Sequence, residues 1–373
     1  MNSRHTVTID LPIVAACNRR SLLIHRYGSG RPKAYLQAAL HADEAPGMLA
    51  LQHLLVLLDA APDRVQGEIV IVPFANPIGL SQFLNGYTLG RYDFDVTGNF
   101  NRAVPALGER LAPLLAESLG DDPQANADII RAALRRQVAA LPTLREGEAL
   151  KALLLSHSID ADYVIDIHCD HEALLHLYAP RDQRALAQQL AADMHCMALL
   201  LEDDPGGEAY DQANSSPWRV LRQHYGERIP LGCFACTLEL RGQGDVNDTL
   251  AAQDATGLYR FLQRQGVIAG TPEALPPPQG VCVPLEGVDV LRSPGAGLLV
   301  YHQALGAQVS EGEIIAELID LHRINHRTPI RSRTEGLLFT QARDPLVRPG
   351  QSLAKIAGVH PLDYRQPGKL LQD

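Results

Sequence analysis

The feature that most restricts the fold is a change of pattern along the chain. Over the first 270 residues, short apolar stretches typical of strands alternate with stretches whose leucines recur at helical spacing. Such alternation favours an α/β layer fold. The segment 271–280 is rich in proline, and after it the helical spacing disappears. The sequence therefore predicts a domain at 1–270, a linker at 271–280 and an all-β domain at 281–373.

Within the first domain, the pattern predicts where the strands and helices lie. Strands are predicted at 33–40, 68–73, 162–167 and 234–240. Helices are predicted at 48–60, 185–201 and 253–265, and the pattern of 103–160 is mostly helical. Open α/β sheets bind ligands at the carboxyl ends of their strands, so polar residues that follow these strands are the candidates for a functional site.

The C-terminal domain contains two segments that resemble each other. Residues 290–320 and 329–358 each run from an apolar strand through a glycine turn, a second strand and a polar turn to another strand. This pattern is similar to the two halves of a lipoyl/biotinyl-type barrel-sandwich. A carrier domain of that type needs a lysine at a hairpin tip, and the bend at 320–327 has none. We therefore expect a structural or substrate-gating role.

Charge and hydropathy limit the partners that the chain can have. It carries 33 basic and 43 acidic residues, a formal net charge of −10, without a block rich in lysine and arginine. Nucleic acid and anionic membranes are therefore poor partners. No apolar run approaches the roughly 20 residues that span a bilayer, and the first residues lack the apolar core of a signal peptide. We expect a cytoplasmic protein with a small-molecule substrate. The sequence leaves open whether the chain forms a homo-oligomer.

The cysteines do not suggest a disulfide framework. Six are scattered along the chain, and two of them, Cys233 and Cys236, form a C-x-x-C pair. Redox or metal chemistry would call for a second such pair or a strand-to-helix turn, and the sequence offers neither. We therefore predict that this pair packs inside a strand.

The first polar cluster lies at the end of the strand predicted at 33–40. His41 ends this strand, and Glu44 stands just before the next helix. An H-x-x-E pair at such a junction can offer an imidazole nitrogen and a carboxylate to one metal ion. The pair also fits a buried histidine beside a carboxylate in the first turn of a helix.

The second polar cluster is Asp166-Ile-His168, at the end of the strand predicted at 162–167. Strand alternation sends Asp166 and His168 to the same side, so the carboxylate can orient the histidine. Two histidines and one carboxylate leave a position for water, which is typical of catalytic zinc. Three residues nearby stay open as ligands: Asp170, His171 and His176.

Two further sets of polar residues have the chemistry to act on a substrate. Glu239 interrupts an apolar strand, and burying a carboxylate is costly unless a partner such as a metal-bound water explains it. A salt bridge with Arg241 is the alternative. Arg91, Asn101 and Arg102 together form a fork suited to a carboxylate, or else an ordinary charged loop.

In this order the motifs resemble the succinylglutamate desuccinylase/aspartoacylase family, and the resemblance covers about residues 30–265. The elements that carry it are His41-Ala-Asp-Glu44, Asn76-Pro77, Arg91-Tyr92, Asn99-Phe-Asn101-Arg102, Asp166-Ile-His168 and Thr-Leu-Glu239. Ala42 replaces a glycine of the family pattern, and Asn99 replaces an aspartate. These departures leave the chemistry intact but suggest a reshaped substrate pocket.

The resemblance implies a zinc carboxypeptidase-like fold, with a mixed twisted sheet and flanking helices, followed by the C-terminal β domain. It implies hydrolysis of the amide bond of a small N-acyl amino acid by a metal-activated water. The alternatives are a metallocarboxypeptidase that acts on peptide C-termini and a non-catalytic metal-binding protein that docks a partner.

The resemblance also implies a role for each residue of the site. One zinc ion per chain would be bound by His41, Glu44 and His168, although cobalt or manganese would also suit such ligands. Glu239 would be the general base and acid, and Arg91 would polarise the scissile carbonyl. Asn101 and Arg102 would bind the substrate carboxylate.

Overall fold

The structure is a computed structural model that describes residues 3–13, 16, 18–96, 98–203 and 206–370. Its helices are α1 (Pro46–Ala60), α2 (Pro77–Leu80), α3 (Gly108–Leu115), α4 (Pro123–Ala139), α5 (Glu146–Ser158), α6 (Arg184–Asp193), α7 (Tyr210–Tyr225) and α8 (Asp248–Arg264). Short 3-10 helices lie at Pro62–Arg64, Arg181–Gln183, Gly226–Arg228 and Leu285–Gly287.

The strands extend over the whole described chain. As far as residue 242 they are β1 (His5–Asp10), β2 (Ser21–Gly28), β3 (Lys33–Ala38), β4 (Glu68–Val72), β5 (Phe83–Leu84), β6 (Tyr87–Thr88), β7 (Tyr163–Asp170), β8 (Glu172–Ala173), β9 (His176–Pro180), β10 (Ala198–Glu202) and β11 (Phe234–Gly242). The later strands are β12 (Val281–Pro284), β13 (Val288–Arg292), β14 (Gly297–Tyr301), β15 (Gln308–Val309), β16 (Ile314–Ile319), β17 (Arg327–Arg331), β18 (Gly336–Gln341), β19 (Leu346–Val347) and β20 (Ser352–Ala357).

The chain divides into two compact units. The first unit comprises the residues up to His168 together with Glu208–Thr237 and Val246–Leu275. The second unit comprises Cys169–Gly207, Leu238–Asp245 and the residues from Pro276 onward.

A mixed sheet forms the centre of the first unit. β1 and β4 both pair with β2 in antiparallel orientation, whereas β4 and β7 both pair with β3 in parallel orientation. The register places Gln37 of β3 opposite Asp166 of β7. Because the two strands run in parallel, their carboxyl ends meet at one edge of the sheet. His41 and His168 lie at this edge, as the sequence predicts.

Helices supply the core that supports this edge. α3, α4, α5 and α7 contribute apolar side chains to a core cluster that also contains Tyr35 of β3 and Val164 of β7. α1 packs against α8 and also contacts β3. Burial of each leucine or isoleucine side chain contributes about 1.5–3 kcal/mol, so this core gives the parallel strands little freedom to separate.

The predicted helix at 185–201 is wrong in its second half. α6 ends at Asp193, and His195 adopts a left-handed φ of 59°, which stops the helix. β10 follows at Ala198–Glu202, buried along its whole length and paired in parallel with both β9 and β12. A continuous apolar run fits a buried strand as well as a helix, and periodicity alone does not separate the two.

The C-terminal strands follow the internal repeat predicted from the sequence. The first copy supplies β13 to β16 and the second supplies β17 to β20. One sheet has the order β13-β20-β18-β15 and the other β17-β16-β14-β19, so exchanging the copies converts one sheet into the other. Both sheets contribute to one core cluster, which contains Leu291, Ile315 and Ile356. The likeness to a lipoyl/biotinyl barrel-sandwich stays a prediction.

Two segments group with the C-terminal strands rather than with the residues around them in the sequence. Cys169–Gly207 and Leu238–Asp245 belong to the second unit. The reason is local pairing, because Ala173 of β8 lies opposite Thr340 of β18 and Leu200 of β10 packs beside Phe339. The division of the chain into domains at 1–270 and 281–373, joined by a linker at 271–280, stays a prediction.

Gly47 provides a test of how tightly the first unit holds its strand ends. A Cβ atom at this position of α1 would lie 2.7 Å from Ile167 Cγ2 and 2.9 Å from Ala38 Cβ. We expect Gly47→Ala to lower the free energy of unfolding by about 1–3 kcal/mol, because the helix must move away from β3 and β7. Urea denaturation measures the change.

Gly120→Ala is the matched control. No heavy atom lies within 4 Å of a Cβ atom built at Gly120, so we expect its stability to stay within about 0.5 kcal/mol of wild type. Equal stability of the two variants would contradict the tight packing of α1 on the strand ends.

Candidate metal centre

Three side chains converge at the edge where β3 and β7 end. His41 follows β3 after a turn in which Ala39 has a left-handed φ of 58°, and Glu44 lies in the loop before α1. His168 is near the end of β7. The three side chains are buried, at 3–4% exposure. The structure therefore brings together the ligand set predicted from the sequence.

Buried Asn76 fixes the loop that carries His41. Its Nδ2 donates to the carbonyl of Leu40 at 2.9 Å, and its Oδ1 accepts from the backbone N–H of Gly79 at 2.8 Å. One side chain thus ties the end of β3 to the first turn of α2. This explains the Asn-Pro pair in the sequence, since Pro77 suits the first helical position and asparagine the cap.

The carboxylate of Glu44 lies between the two imidazoles. Glu44 Oε1 is 2.9 Å from His41 Nδ1, and Glu44 Oε2 is 2.7 Å from His168 Nδ1. One ligand atom from each of the three residues falls within 4.8 Å of the others. Both histidines therefore turn the same ring nitrogen, Nδ1, towards the centre of the cluster.

Oxygen acceptors outside the cluster bind the opposite ring nitrogens. His41 Nε2 is 2.8 Å from Asn99 Oδ1, and His168 Nε2 is 2.9 Å from Asp166 Oδ2. An oxygen acceptor at Nε2 favours the tautomer that keeps its proton there and leaves Nδ1 able to bind a metal. This is the support that metal-binding histidines require, and Asp166 provides it as the sequence predicts.

Two buried side chains in turn fix Asp166. Gln37 Nε2 donates to Asp166 Oδ1 at 2.9 Å, and Tyr35 Oη donates to Gln37 Oε1 at 2.7 Å. The parallel register that places Gln37 opposite Asp166 makes the contact possible. Sequence reasoning missed this chain of hydrogen bonds, although a glutamine inside an apolar strand was a signal.

For Glu44 and His168, the charges inside the cluster oppose the effect of burial on the pKa. Burial alone would raise the pKa of Glu44, but the two imidazoles hold it well below its usual range. Burial would lower the pKa of His168, but Asp166 and Glu44 raise it well above its usual range. Burial lowers the pKa of His41, with Arg91 adding to the effect. The cluster thus keeps an ionised carboxylate where it accepts a cation.

Arg91 lies beside the predicted ligands. Its Nη1 is 2.9 Å from Glu44 Oε1 and 3.0 Å from His41 Nδ1. Its side chain is 41% exposed, so the guanidinium reaches from solvent to the cluster. Gly90, the preceding residue, has no room for a Cβ atom, which would lie 2.6 Å from Ala42 Cβ. Because Gly90 lies so close to Ala42, Arg91 lies beside the cluster of His41, Glu44 and His168.

Asn101 and Arg102 lie next to the cluster, but their contacts are internal. Asn101 is buried, with Nδ2 3.3 Å from His168 Nε2 and Oδ1 accepting from the N–H of Tyr210. Arg102 Nη1 donates to the carbonyl of Asn101, and Lys151 Nζ donates to the carbonyl of Arg102 at 2.6 Å. Binding of a substrate carboxylate by this pair stays a prediction.

The three residues left open as further ligands lie outside the cluster. Asp170 forms an ion pair with Lys355, its Oδ2 2.6 Å from Lys355 Nζ. His176 is buried, bonds through Nδ1 to the carbonyl of Leu174, and packs against aromatic rings. In the described part of the chain, neither these two nor His171 belongs to the group that could hold a metal ion.

Glu239 lies on β11, in the part of that strand that belongs to the second unit, and is half-buried. Its role as general base stays a prediction. Cys233 and Cys236 are fully buried, Cys236 within β11, and burial raises the pKa of the Cys233 thiol. A buried thiol of this kind is inert, which agrees with packing rather than redox chemistry.

The donor set fits a divalent transition metal. Two imidazole nitrogens and one carboxylate are ligands that zinc accepts, and three protein ligands leave a position for water.

Comparisons with known proteins identify what the chain is similar to. Residues 30–122 match the model of the succinylglutamate desuccinylase/aspartoacylase catalytic domain. The chain is 26% identical over 339 residues to the N-alpha-acetyl-L-2,4-diaminobutyric acid deacetylase of Halomonas elongata, covering 88% of this chain and 82% of the relative. The resemblance stated from the motifs is therefore confirmed.

Solved structures from Shewanella share the fold. A family protein from Shewanella amazonensis is 28% identical with a TM-score of 0.83, covering 95% of this chain and 98% of its own. A protein from Shewanella frigidimarina is 24% identical with a TM-score of 0.85, covering 96% and 98%. The mixed α/β fold is thus confirmed over nearly the whole chain.

Metal binding predicts a change in thermal stability. We expect zinc at about 100 times its Kd to stabilise the folded chain by about 2.7 kcal/mol, which raises Tm by several degrees. In His41→Ala the increase should be lost, because one ligand is missing. Differential scanning fluorimetry with and without zinc measures the Tm of wild type and of His41→Ala.

His53→Ala is the control for this experiment. His53 lies on α1, where its Nε2 is 3.0 Å from Asp248 Oδ1, and it is no part of the cluster. The variant should keep the full zinc-dependent increase. A zinc effect that survives in His41→Ala would contradict the assigned site.

Proposed function

We propose that this chain, a member of the succinylglutamate desuccinylase/aspartoacylase family, is a zinc-dependent deacylase of small N-acyl amino acids. The observation that carries the proposal is the buried cluster of His41, Glu44 and His168, with both Nδ1 atoms directed at the carboxylate. A buried, ionised carboxylate between two imidazoles has little structural use but suits a metal ion well. We propose one zinc ion per chain.

A bound zinc ion would lower the pKa of its water towards about 7 and polarise the acyl carbonyl. The residues of the chain would do the rest. Glu239 would take a proton from the attacking water, whose oxygen bonds to the carbonyl carbon. Arg91 would stabilise the negative charge that forms on the carbonyl oxygen. Glu239 would then give its proton to the leaving nitrogen as the C–N bond breaks.

The substrate class follows from the relatives and from the charges near the cluster. Asn101 and Arg102 would bind the substrate carboxylate, and the products would be a carboxylic acid and a free amino acid. The Halomonas relative is a deacetylase of N-alpha-acetyl-L-2,4-diaminobutyric acid. We therefore propose an N-acetylated diamino acid as one of the candidate substrates.

The remaining parts of the proposal concern the C-terminal strands and the setting of the protein. We propose that the C-terminal strands form a barrel-sandwich, which has a structural or substrate-gating role. No helix in the described part of the chain is long and apolar enough to cross a membrane. A cytoplasmic location is part of the proposal.

Metal content and amine release test the proposal together. Purified protein should contain about one zinc ion per chain and release amine from at least one N-acyl amino acid. Glu239→Gln should keep the metal but lose about 10²- to 10⁴-fold in kcat, because the proton transfers lose their general base. Metal analysis and a coupled amine assay measure both quantities.

Glu335→Gln is the matched control, since Glu335 is exposed and also belongs to the second unit. It should be as active as wild type. Turnover of dipeptides but not of N-acyl amino acids would favour the metallocarboxypeptidase. Retained metal without turnover of either class would favour the binding protein, and full activity of Glu239→Gln would reject the assigned base.

A further inference from the structure

A cavity of about 740 Å³ in the first unit has no part in the proposed mechanism. Its volume lies in the range of small-molecule sites, about 300–1,000 Å³. Of the described residues that line it, none is a predicted metal ligand or has a step in the mechanism. Asn99 does line it, and Asn99 Oδ1 lies 2.8 Å from His41 Nε2. The cavity thus adjoins the Nε2 edge of His41, whereas Nδ1 faces Glu44.

Asp93 contributes a buried carboxylate to the lining of this cavity. The residue is only 8% exposed. Its Oδ1 accepts from the backbone N–H of Asp95 at 2.9 Å, whereas Oδ2 has no hydrogen-bond donor in the described part of the chain. Burying a carboxylate without a cation is costly, so a charge retained at this position calls for a partner.

The cations that line the cavity are bound elsewhere or exposed. Arg20 Nη1 lies 2.5 Å from Glu146 Oε2. Lys151 Nζ donates to the carbonyl of Arg102 at 2.6 Å, and although the charge of Asp93 opposes the lowering of the Lys151 pKa by burial, no ion pair joins the two in the described part of the chain. Arg145 is exposed. The lining therefore leaves Asp93 without a cation of its own.

The first turn of α5 stabilises the carboxylate only in part. A Cβ atom built at Gly147 would lie 3.0 Å from Asp93 Oδ2, so the carboxylate lies directly against the start of this helix. The N-terminus of a helix has a partial charge of about +0.5, which favours an anion but does not neutralise a full negative charge. The remaining charge is available to a ligand.

Apolar side chains complete the lining and narrow the class of ligand. Phe83, Phe94, Val96 and Leu144 line the cavity and are each at least 43% exposed. Such exposed apolar groups favour contact with the hydrocarbon part of a ligand. With one carboxylate oxygen free of donors, Asp93 suits a compact ammonium group better than a guanidinium, whose planar fork prefers two oxygens.

We propose that this cavity is a binding site for a small organic ammonium ion. Asp93 neutralises the ammonium group, and the aliphatic chain of the ligand packs against the exposed apolar side chains. The ammonium group belongs either to the second amino group of a diamino acid substrate or to a separate amine, and kinetics distinguish the two. Binding itself is measurable without turnover, so its test does not depend on the proposed function.

Isothermal titration calorimetry of the zinc-loaded full chain with n-butylammonium chloride, at constant ionic strength, tests the proposal. Wild type should bind one ion per chain, and Asp93→Asn should weaken binding about 10- to 100-fold, because a charge-assisted hydrogen bond is lost. The asparagine keeps the Oδ1 acceptor for the N–H of Asp95. 1-Butanol, which has the aliphatic chain without the charge, should bind at least about tenfold more weakly than the ammonium ion.

Asp95→Asn is the matched control. Asp95 lines the same cavity but is exposed, so this identical substitution should change the affinity less than about twofold. Equal losses in the two variants would overturn the proposal, because the effect would then be one of general charge. Unchanged affinity in Asp93→Asn, equal binding of 1-butanol, or no saturable binding to wild type would also overturn it.

Leu144→Lys provides a second variant in case Asp93→Asn does not fold. Leu144 is 87% exposed, so the substitution should be tolerated, and the added cation should weaken ammonium binding about threefold or more. Unchanged affinity in this variant would contradict the site.

Kinetics identify the source of the ammonium group. If n-butylammonium raises KM for an N-acyl diamino acid at constant kcat, the cavity holds the amino group of the substrate. If it lowers kcat at saturating substrate, the cavity holds a separate amine. Both results support the site. If wild type turns over no N-acyl amino acid, the proposed function fails, and the calorimetry still supports or rejects the ammonium site.

Discussion

The site depends on one interaction, the burial of the Glu44 carboxylate between two imidazoles. A carboxylate removed from water is costly, and this one has His41 and His168 at 2.9 and 2.7 Å from its two oxygens. The two histidines stand at the ends of neighbouring parallel strands. The spacing of β3 and β7 in the sheet thus sets the distance between the ligands, and the core beneath these strands maintains it.

The same arrangement explains how the remaining polar groups are distributed. Each imidazole faces Glu44 through Nδ1 and an outer oxygen through Nε2. The proposed base lies in the other compact unit, where Lys355 of the C-terminal sheet pairs with Asp170. In the proposed function the α/β strands supply the metal ligands, and β11 supplies the base.

Much of this was predictable from the sequence, because strand ends and metal ligands leave local patterns. The start of α1 near Glu44 and the orientation of His168 by Asp166 were predicted. The ends of β3 and β7 were predicted within three residues, since the predicted strands end at 40 and 167 and the observed strands end at Ala38 and Asp170. The strand at Ala198–Glu202 was missed, because an apolar run reads as helix or strand until its neighbours are known. The contacts of Gln37 and Asn99 depend on cross-strand register and loop closure, which one sequence does not reveal.

X-ray absorption spectroscopy of the zinc-loaded protein at the zinc edge tests the central claim most directly. The account predicts about one zinc ion bound by two imidazole nitrogens at about 2.0–2.1 Å, with carboxylate and water oxygens completing the shell. In His168→Ala the spectrum should lose one imidazole contribution. A shell that contains sulfur, or a spectrum that is the same in His168→Ala, would contradict the assigned metal centre.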